Sequence, residues 1–288
     1  MTTPVQGATQ SRKDRFRYDP SDLPGRDRGK KDASPIHLTR WGHSGPIVVL
    51  IHGSAQGSTW GGERHFSKQE CLVERGWQLV VPDRPGHGRS PAPGRPDDAE
   101  ADGAWVAELL GDGAHLVGHS FGGCVALAAA AARPSAVRSL TLIEPGMQKL
   151  AVSAPEVRRF VLKLMATILF SFSSATRAKR FSELVRVPPE VSGRSDTEEL
   201  KRIGRALAKM RIPSKDTLER ELAIVKREQI PLLVVTGGWS PAFEVTADQV
   251  AALGGGRRRV ISTPHHFPQL VSDEFNDMLV SFMMESDQ

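Results

Sequence analysis

The stretch from Ala114 to Arg133, AHLVGHSFGGCVALAAAAAR, constrains this chain more than any other. An apolar strand pattern over His115, Leu116 and Val117 runs into Gly118-His119-Ser120-Phe121-Gly122-Gly123, and an alanine-rich helix pattern follows from about Cys124 to Ala132. Serine stands at the apex of the turn with glycines two residues to either side, because only small neighbours let strand and helix come this close. A helix that starts there aims unpaired backbone N–H groups, and the positive end of its dipole, at whatever lies over the serine. Such a turn is a place to hold a nucleophile.

The rest of the chain repeats the strand–helix alternation. Pro35–Arg40 reads as a first strand, and Ile47–Ile51 is an unbroken aliphatic run of the kind buried on both faces of a parallel sheet. It ends in His52-Gly53-Ser54-Ala55-Gln56-Gly57. A helix pattern over Glu63–Arg75 leads to a strand at Gln78–Val81, which stops at Pro82-Asp83-Arg84-Pro85-Gly86-His87-Gly88-Arg89-Ser90. A weaker helix over Asp97–Leu110 precedes the serine turn, and a strand over Val137–Ile143 ends in Glu144-Pro145-Gly146. From Ala151 to Val225 the strand rhythm gives way to helical periodicity broken at Pro188-Pro189 and Pro213. It resumes with a strand at Pro231–Thr236, a helix at Thr246–Leu253, a strand at Arg258–Ile261 and a helix at Gln269–Met284. The pattern predicts an α/β fold, a mainly parallel sheet with helices on both faces and functional loops at the strands' C-terminal ends. It also predicts a helical lid at 151–227, a core from 35–150 and 228–288, and a flexible basic tail at 1–34.

Charge narrows the partners. The net +5 is uneven: residues 1–32 carry +3 and residues 151–227 carry +8, leaving −6 for the remainder. The basic helical surface reads as a solvated face, or as one that attracts anionic substrates or a membrane surface. It contains no recognisable nucleic-acid reading module, so nucleic acid is not an expected partner. No apolar run reaches the roughly 18 to 20 residues of a membrane span. The N-terminus lacks the apolar core of a signal peptide, which makes the cytoplasm the expected compartment. Cys71 and Cys124 are too few for a disulfide framework. No His/Cys/Asp cluster has metal-ligand spacing, and Gly254-Gly255-Gly256 before Arg257-Arg258-Arg259 reads as a surface turn, so neither metal nor cofactor is implied. The oligomeric state is left open.

Over about residues 35–285 these motifs resemble the α/β-hydrolase superfamily. The resemblance rests on His52-Gly53, Asp83-x-x-Gly86-x-Gly88-x-Ser90, Gly118-x-Ser120-x-Gly122, the helical insertion, and His266-Phe267-Pro268, in that order. It implies that Ser120 is the nucleophile and His266 its base, with the neighbouring His265 as competitor. Relatives commonly place the orienting acid after the seventh strand, where this chain reads Thr236-Gly237-Gly238-Trp239-Ser240-Pro241 with serine at the acidic position. Some branches place it after the sixth, where Glu144 stands; Glu244 is the alternative. The oxyanion hole is expected at the backbone N–H groups of Ser54 and Phe121, and Trp60, Met147, Trp239 and Phe243 are candidate pocket walls. His52, His87 and His119 belong to structural turns in this pattern. A serine nucleophile argues against epoxide opening and halide displacement, which use aspartate. The apolar run Phe160–Phe172 suggests a tunnel for an acyl chain or aromatic ester. The implied function is hydrolysis of a carboxylic ester (or lactone or thioester) of an apolar small molecule through an acyl-enzyme. Carbon–carbon bond hydrolysis with the same residues, and a non-enzymatic ligand-binding homologue, are the alternatives.

Overall fold

Seven short strands, most of them rich in aliphatic residues, pair into one sheet in the order first, third, second, fourth, fifth, sixth, seventh. The computed structural model describes residues 36–53, 55–192 and 196–288. In chain order these contain β1 (Leu38–Trp41), β2 (Ile47–Ile51), α1 (Gly62–His65), β3 (Gln78–Pro82), α2 (Ala99–Leu109), β4 (Ala114–His119), α3 (Phe121–Ala132) and β5 (Val137–Ile143). Helices α4 (Pro155–Leu169), α5 (Ser174–Leu184), α6 (Pro189–Ser192), α7 (Thr197–Leu207) and α8 (Lys215–Arg227) follow, then β6 (Leu232–Thr236), α9 (Pro241–Gly254), β7 (Arg257–Val260) and α10 (Asp273–Ser286). β1 pairs antiparallel to β3, and the remaining pairs are parallel.

The unbroken aliphatic runs are explained by burial on both faces. Side chains alternate along a strand, so Val49 and Ile51 join Leu116, Leu140 and Leu142 against α2, α3, α8 and α9. Val48 and Leu50 join Val117, Ile143 and Val235 on the other face, against Phe275, Leu279 and Phe282 of α10. Helix α3 is buried from Phe121 through Ala130, which is why small alanines fill it.

The structure shifts several expected boundaries. The first strand begins at Leu38, where pairing with Pro82 of β3 starts. The Glu63–Arg75 helix is split: α1 ends as the fully buried Phe66 leaves helical geometry, and a tighter 3-10 segment covers Ser67–Arg75. Helix α9 starts earlier than its apolar pattern, at Pro241, whose fixed φ suits a first helical position. Helix α8, within the stretch expected as lid, buries Leu218, Leu222 and Val225 in the main core. The tail proposed for 1–34 lies outside the described residues.

Candidate active site

The serine turn is strained. Ser120 has φ 57° and ψ −122°, a conformation that side chains disfavour and that surrounding contacts must hold in place. The Ser120 N–H donates to Ile143 O (2.8 Å), while its carbonyl accepts from Gly123 N (2.9 Å) and Gly146 N (3.1 Å). A side chain at Gly122 would begin 2.4 Å from the carbonyls of Ile51 and His52, so only glycine lets α3 rest against the end of β2. From that end, Gly53 closes on Ser120: a Cβ there would lie 3.1 Å from Ser120 Cβ. Phe121 opens α3, so its N–H has no carbonyl four residues back and is left for a ligand.

Two other strand ends bring up a histidine and a carboxylate. His266, in the loop before α10, is 3% exposed and its Nδ1 lies 3.3 Å from Glu144 Oε2. Glu144 follows β5 with φ 45° and is fully buried. Its Oε1 accepts from Gly237 N (2.6 Å) and Trp239 Nε1 (3.1 Å). With Nδ1–H donated to Glu144, Nε2 is the nitrogen available to act as base. No hydrogen bond joins the Ser120 hydroxyl to this ring among the described residues; such contacts often tighten only when substrate arrives. Glu244 lies elsewhere, accepting from Thr236 Oγ1 (2.9 Å), Gly238 N (3.1 Å) and Arg258 Nη2 (2.7 Å). His265 Nδ1 sits 3.1 Å from Thr263 Oγ1 and takes the Phe267 N–H.

Four more histidines pack around the centre. His52 Nδ1 donates to Gly53 O (2.7 Å) and its Nε2 accepts from Arg84 N (2.9 Å), which fixes a neutral tautomer. Burial first, then His87, His65 and Arg84, hold His52 well below the ordinary imidazole range. Burial drives His65 and His87 down to about 4, and burial with His266 and His65 nearby holds His119 well below its usual value. His119 Nε2 donates to the His266 carbonyl (2.8 Å) and helps position that loop. These rings are neutral packing groups. Cys124, one helical turn from Ser120, is buried, and burial pushes its thiol up to about 12, so it does not compete as a nucleophile.

Sequence reasoning missed a buried ionic support. Arg84 is fully buried, donates to Asp102 Oδ2 (3.0 Å) and to Gly53 O (3.0 Å), pairs with Asp97, and lies over the Phe121 ring at 4.9 Å. One cation thus braces both the Gly53 loop and Phe121. The acidic partners lie 13 and 18 residues further along the chain, so local spacing gave no signal. A second support comes from α7: Glu199 Oε1 accepts from both Thr59 N (2.6 Å) and Thr59 Oγ1 (2.7 Å).

The predicted pocket walls separate. Trp60 lines a cavity of about 570 Å³ together with His65, Phe267, Phe181, Val187 and Ile203, beneath α5 and α7. Met147, Trp239 and Phe243 do not line it, and neither do Ser120 and His266. Met147 is wholly in the core. Trp239 and Phe243 instead wall the imidazole, with ring centroids 5.9 and 4.7 Å from His266. The cavity approaches His266 through Phe267, whose ring lies 5.9 Å from the imidazole. Ser54 lies outside the described residues. Among those described, no group of three or more His, Cys, Asp or Glu side chains is arranged to hold a metal ion.

A strained serine thus stands between a parallel strand and a buried helix, with a histidine–carboxylate pair at two other strand ends. The chain belongs to the alpha/beta hydrolase family, whose model matches residues 48–278. The chain is similar to the lipase LipV of Mycobacterium tuberculosis, 36% identical over 151 residues, a match covering 50% of this chain and 54% of that protein. It thus spans about half the length of that relative. It is also similar to a pimeloyl-[acyl-carrier protein] methyl ester esterase of Neisseria meningitidis, 31% identical over 202 residues, covering 66% of this chain and 74% of the other. Its fold resembles the N-acyl homoserine lactonase AidH in complex with N-hexanoyl homoserine, with TM-score 0.66, 21% identity, and 88% and 94% of the two chains covered.

Proposed function

We propose that this protein is a serine hydrolase that cleaves a carboxylic ester, lactone or thioester of an apolar small molecule through an acyl-enzyme. The observation that carries the reading is the buried Glu144–His266 pair at the rim where the strained Ser120 stands. Esterase and lipase names among the similar proteins support it. In this reading His266 Nε2 takes the Ser120 proton as Oγ attacks the substrate carbonyl carbon. Glu144 orients the ring and stabilises the imidazolium that forms. The negative charge on the carbonyl oxygen is met by the Phe121 N–H and, as a second donor, that of Ser54. His266 then returns the proton to the departing alcohol or thiol, and a water molecule activated by the same ring releases the acid. The lining of Trp60, Phe181, Val187, Ile203 and Phe267 suits an acyl chain or an aromatic group. Helices α4–α7 act as the lid of this site.

Short p-nitrophenyl esters and a fluorophosphonate probe test the proposal together. Ser120→Ala is expected to lower kcat by roughly a thousandfold or more and to abolish labelling. Labelling or turnover at the wild-type level in that variant would sink the assignment.

A further inference from the structure

Five of the ten large apolar side chains exposed among the described residues, including the four most exposed, lie together in one segment. Phe172 is 96% exposed, Phe170 73%, Leu162 63%, Leu169 61% and Met165 46%, all on the second half of α4 and the turn after it. Leu162, Met165 and Leu169 follow helical spacing and form a stripe along α4 that faces outward. The helix is anchored by its other end, where Val157 packs with Ala151 and Ala242. Folded surfaces seldom leave such a patch bare without a partner.

Charge identifies the partner. Between Glu156 and Glu183 the chain carries six Lys/Arg and no Asp or Glu. Arg158, Lys163, Lys179 and Arg180 are exposed and have no carboxylate partner among the described ion pairs. Residues 1–32 are themselves net positive, so the tail would meet like charge on this face. A second copy docked symmetrically would likewise bring cations against cations. An anionic lipid surface satisfies both features: it takes apolar tips between its headgroups and offers phosphates to the cations.

We propose that α4 and the turn through Phe172 form a docking face for anionic membrane surfaces. Phe170, Phe172 and Leu169 enter the headgroup region, while Arg158, Lys163 and Arg180 meet lipid phosphates. The contact is peripheral: no helix among the described residues is long and apolar enough to cross a membrane.

Co-sedimentation of the full chain with vesicles tests this, independently of any hydrolytic activity. Binding is expected to phosphatidylcholine vesicles containing phosphatidylglycerol, to be far weaker with phosphatidylcholine alone, and to fall as salt rises. The double variant Arg158→Gln/Lys163→Gln should lose roughly tenfold or more in affinity for the anionic vesicles. Phe170→Ser/Phe172→Ser should lose about tenfold, with an unchanged melting temperature to show that folding survives. Failure to bind anionic vesicles overturns the proposal, as does equal binding to neutral ones. So does a dimer in sedimentation that the phenylalanine variant dissolves, since a second copy is then the occupant. Binding to soluble polyglutamate as tight as to vesicles, and indifferent to the phenylalanine variant, also overturns it.

Discussion

The rim of the sheet and helix α4 handle polar and apolar groups in opposite ways. At the rim, charged side chains are buried and paired: Arg84 with Asp97 and Asp102, Glu144 with His266, Gly237 and Trp239. On α4, apolar side chains stand in water, and Arg158 and Lys163 have no carboxylate partner among the described ion pairs. A catalytic group must be held within a fraction of an ångström, and a low-dielectric setting fixes it because any displaced polar group loses its partner. A face that meets other surfaces needs the reverse, unsatisfied groups that something outside can satisfy. The contrast teaches that precision comes from the buried network, and availability from the helix that the core grips at one end only.

The largest expected effect breaks the rim at its carboxylate. Glu144→Gln should reduce kcat by about a thousandfold, because the amide no longer stabilises the imidazolium or selects the tautomer. Glu244→Gln should leave kcat within a few-fold, since its carboxylate pairs with Arg258; reversed results would transfer the acid role to Glu244.

Next comes the ionic support. Arg84→Met leaves Asp97 and much of Asp102 buried without their cation and should cost about 3–5 kcal/mol in urea unfolding. A loss near zero would mean the network holds nothing in place.

Acidification probes the same region without mutation. The buried His52, His65, His87 and His119 have pKa values below the unfolded-state value of about 6.5. The unfolded chain therefore binds protons that the folded chain refuses, and stability falls as pH drops through 6.5 toward about 4. Burial raises Glu221 to about 7, which works the other way by relieving a folded-state cost as the pH falls. Four histidines outweigh one carboxyl, so thermal melts should show a lower Tm at pH 5 than at pH 7. A flat profile would mean that the folded chain takes up these protons as readily as the unfolded chain does.

The smallest effect belongs to the helix. Phe172→Ser removes a side chain that touches almost nothing and should change stability by no more than about 0.5 kcal/mol. The same measurement on Leu142→Ala, fully buried in the sheet, should show a loss of about 2–5 kcal/mol. Similar losses at both positions would erase the contrast.

Much of the fold was legible in the chain because its signals are local. Ile47–Ile51 and Val137–Ile143 match their strands residue for residue, and the small residues around Ser120 announce a turn that only small residues can make. The 3-10 segment at Ser67–Arg75 was not legible, since helical periodicity does not separate an α-helix from its tighter form when tertiary packing decides. Nor was the core role of α8, because an amphipathic pattern says that one face is buried without saying against what.

By itself the sequence determined the alternation of elements, the place of the serine turn and the few residues from which a nucleophile and base could come. Each of these depends on backbone preferences and spacing within one element. Only the tertiary structure decided which carboxylate stands beside the imidazole. Glu144 and Glu244 follow adjacent strands, and β5 and β6 carry one to His266 and the other to Arg258. It also decided that Arg84 finds its acids, that Trp60 faces the cavity while Trp239 faces the histidine, and that the apolar run of α4 turns outward. Those outcomes depend on pairings between residues far apart in the chain, and no periodicity records them.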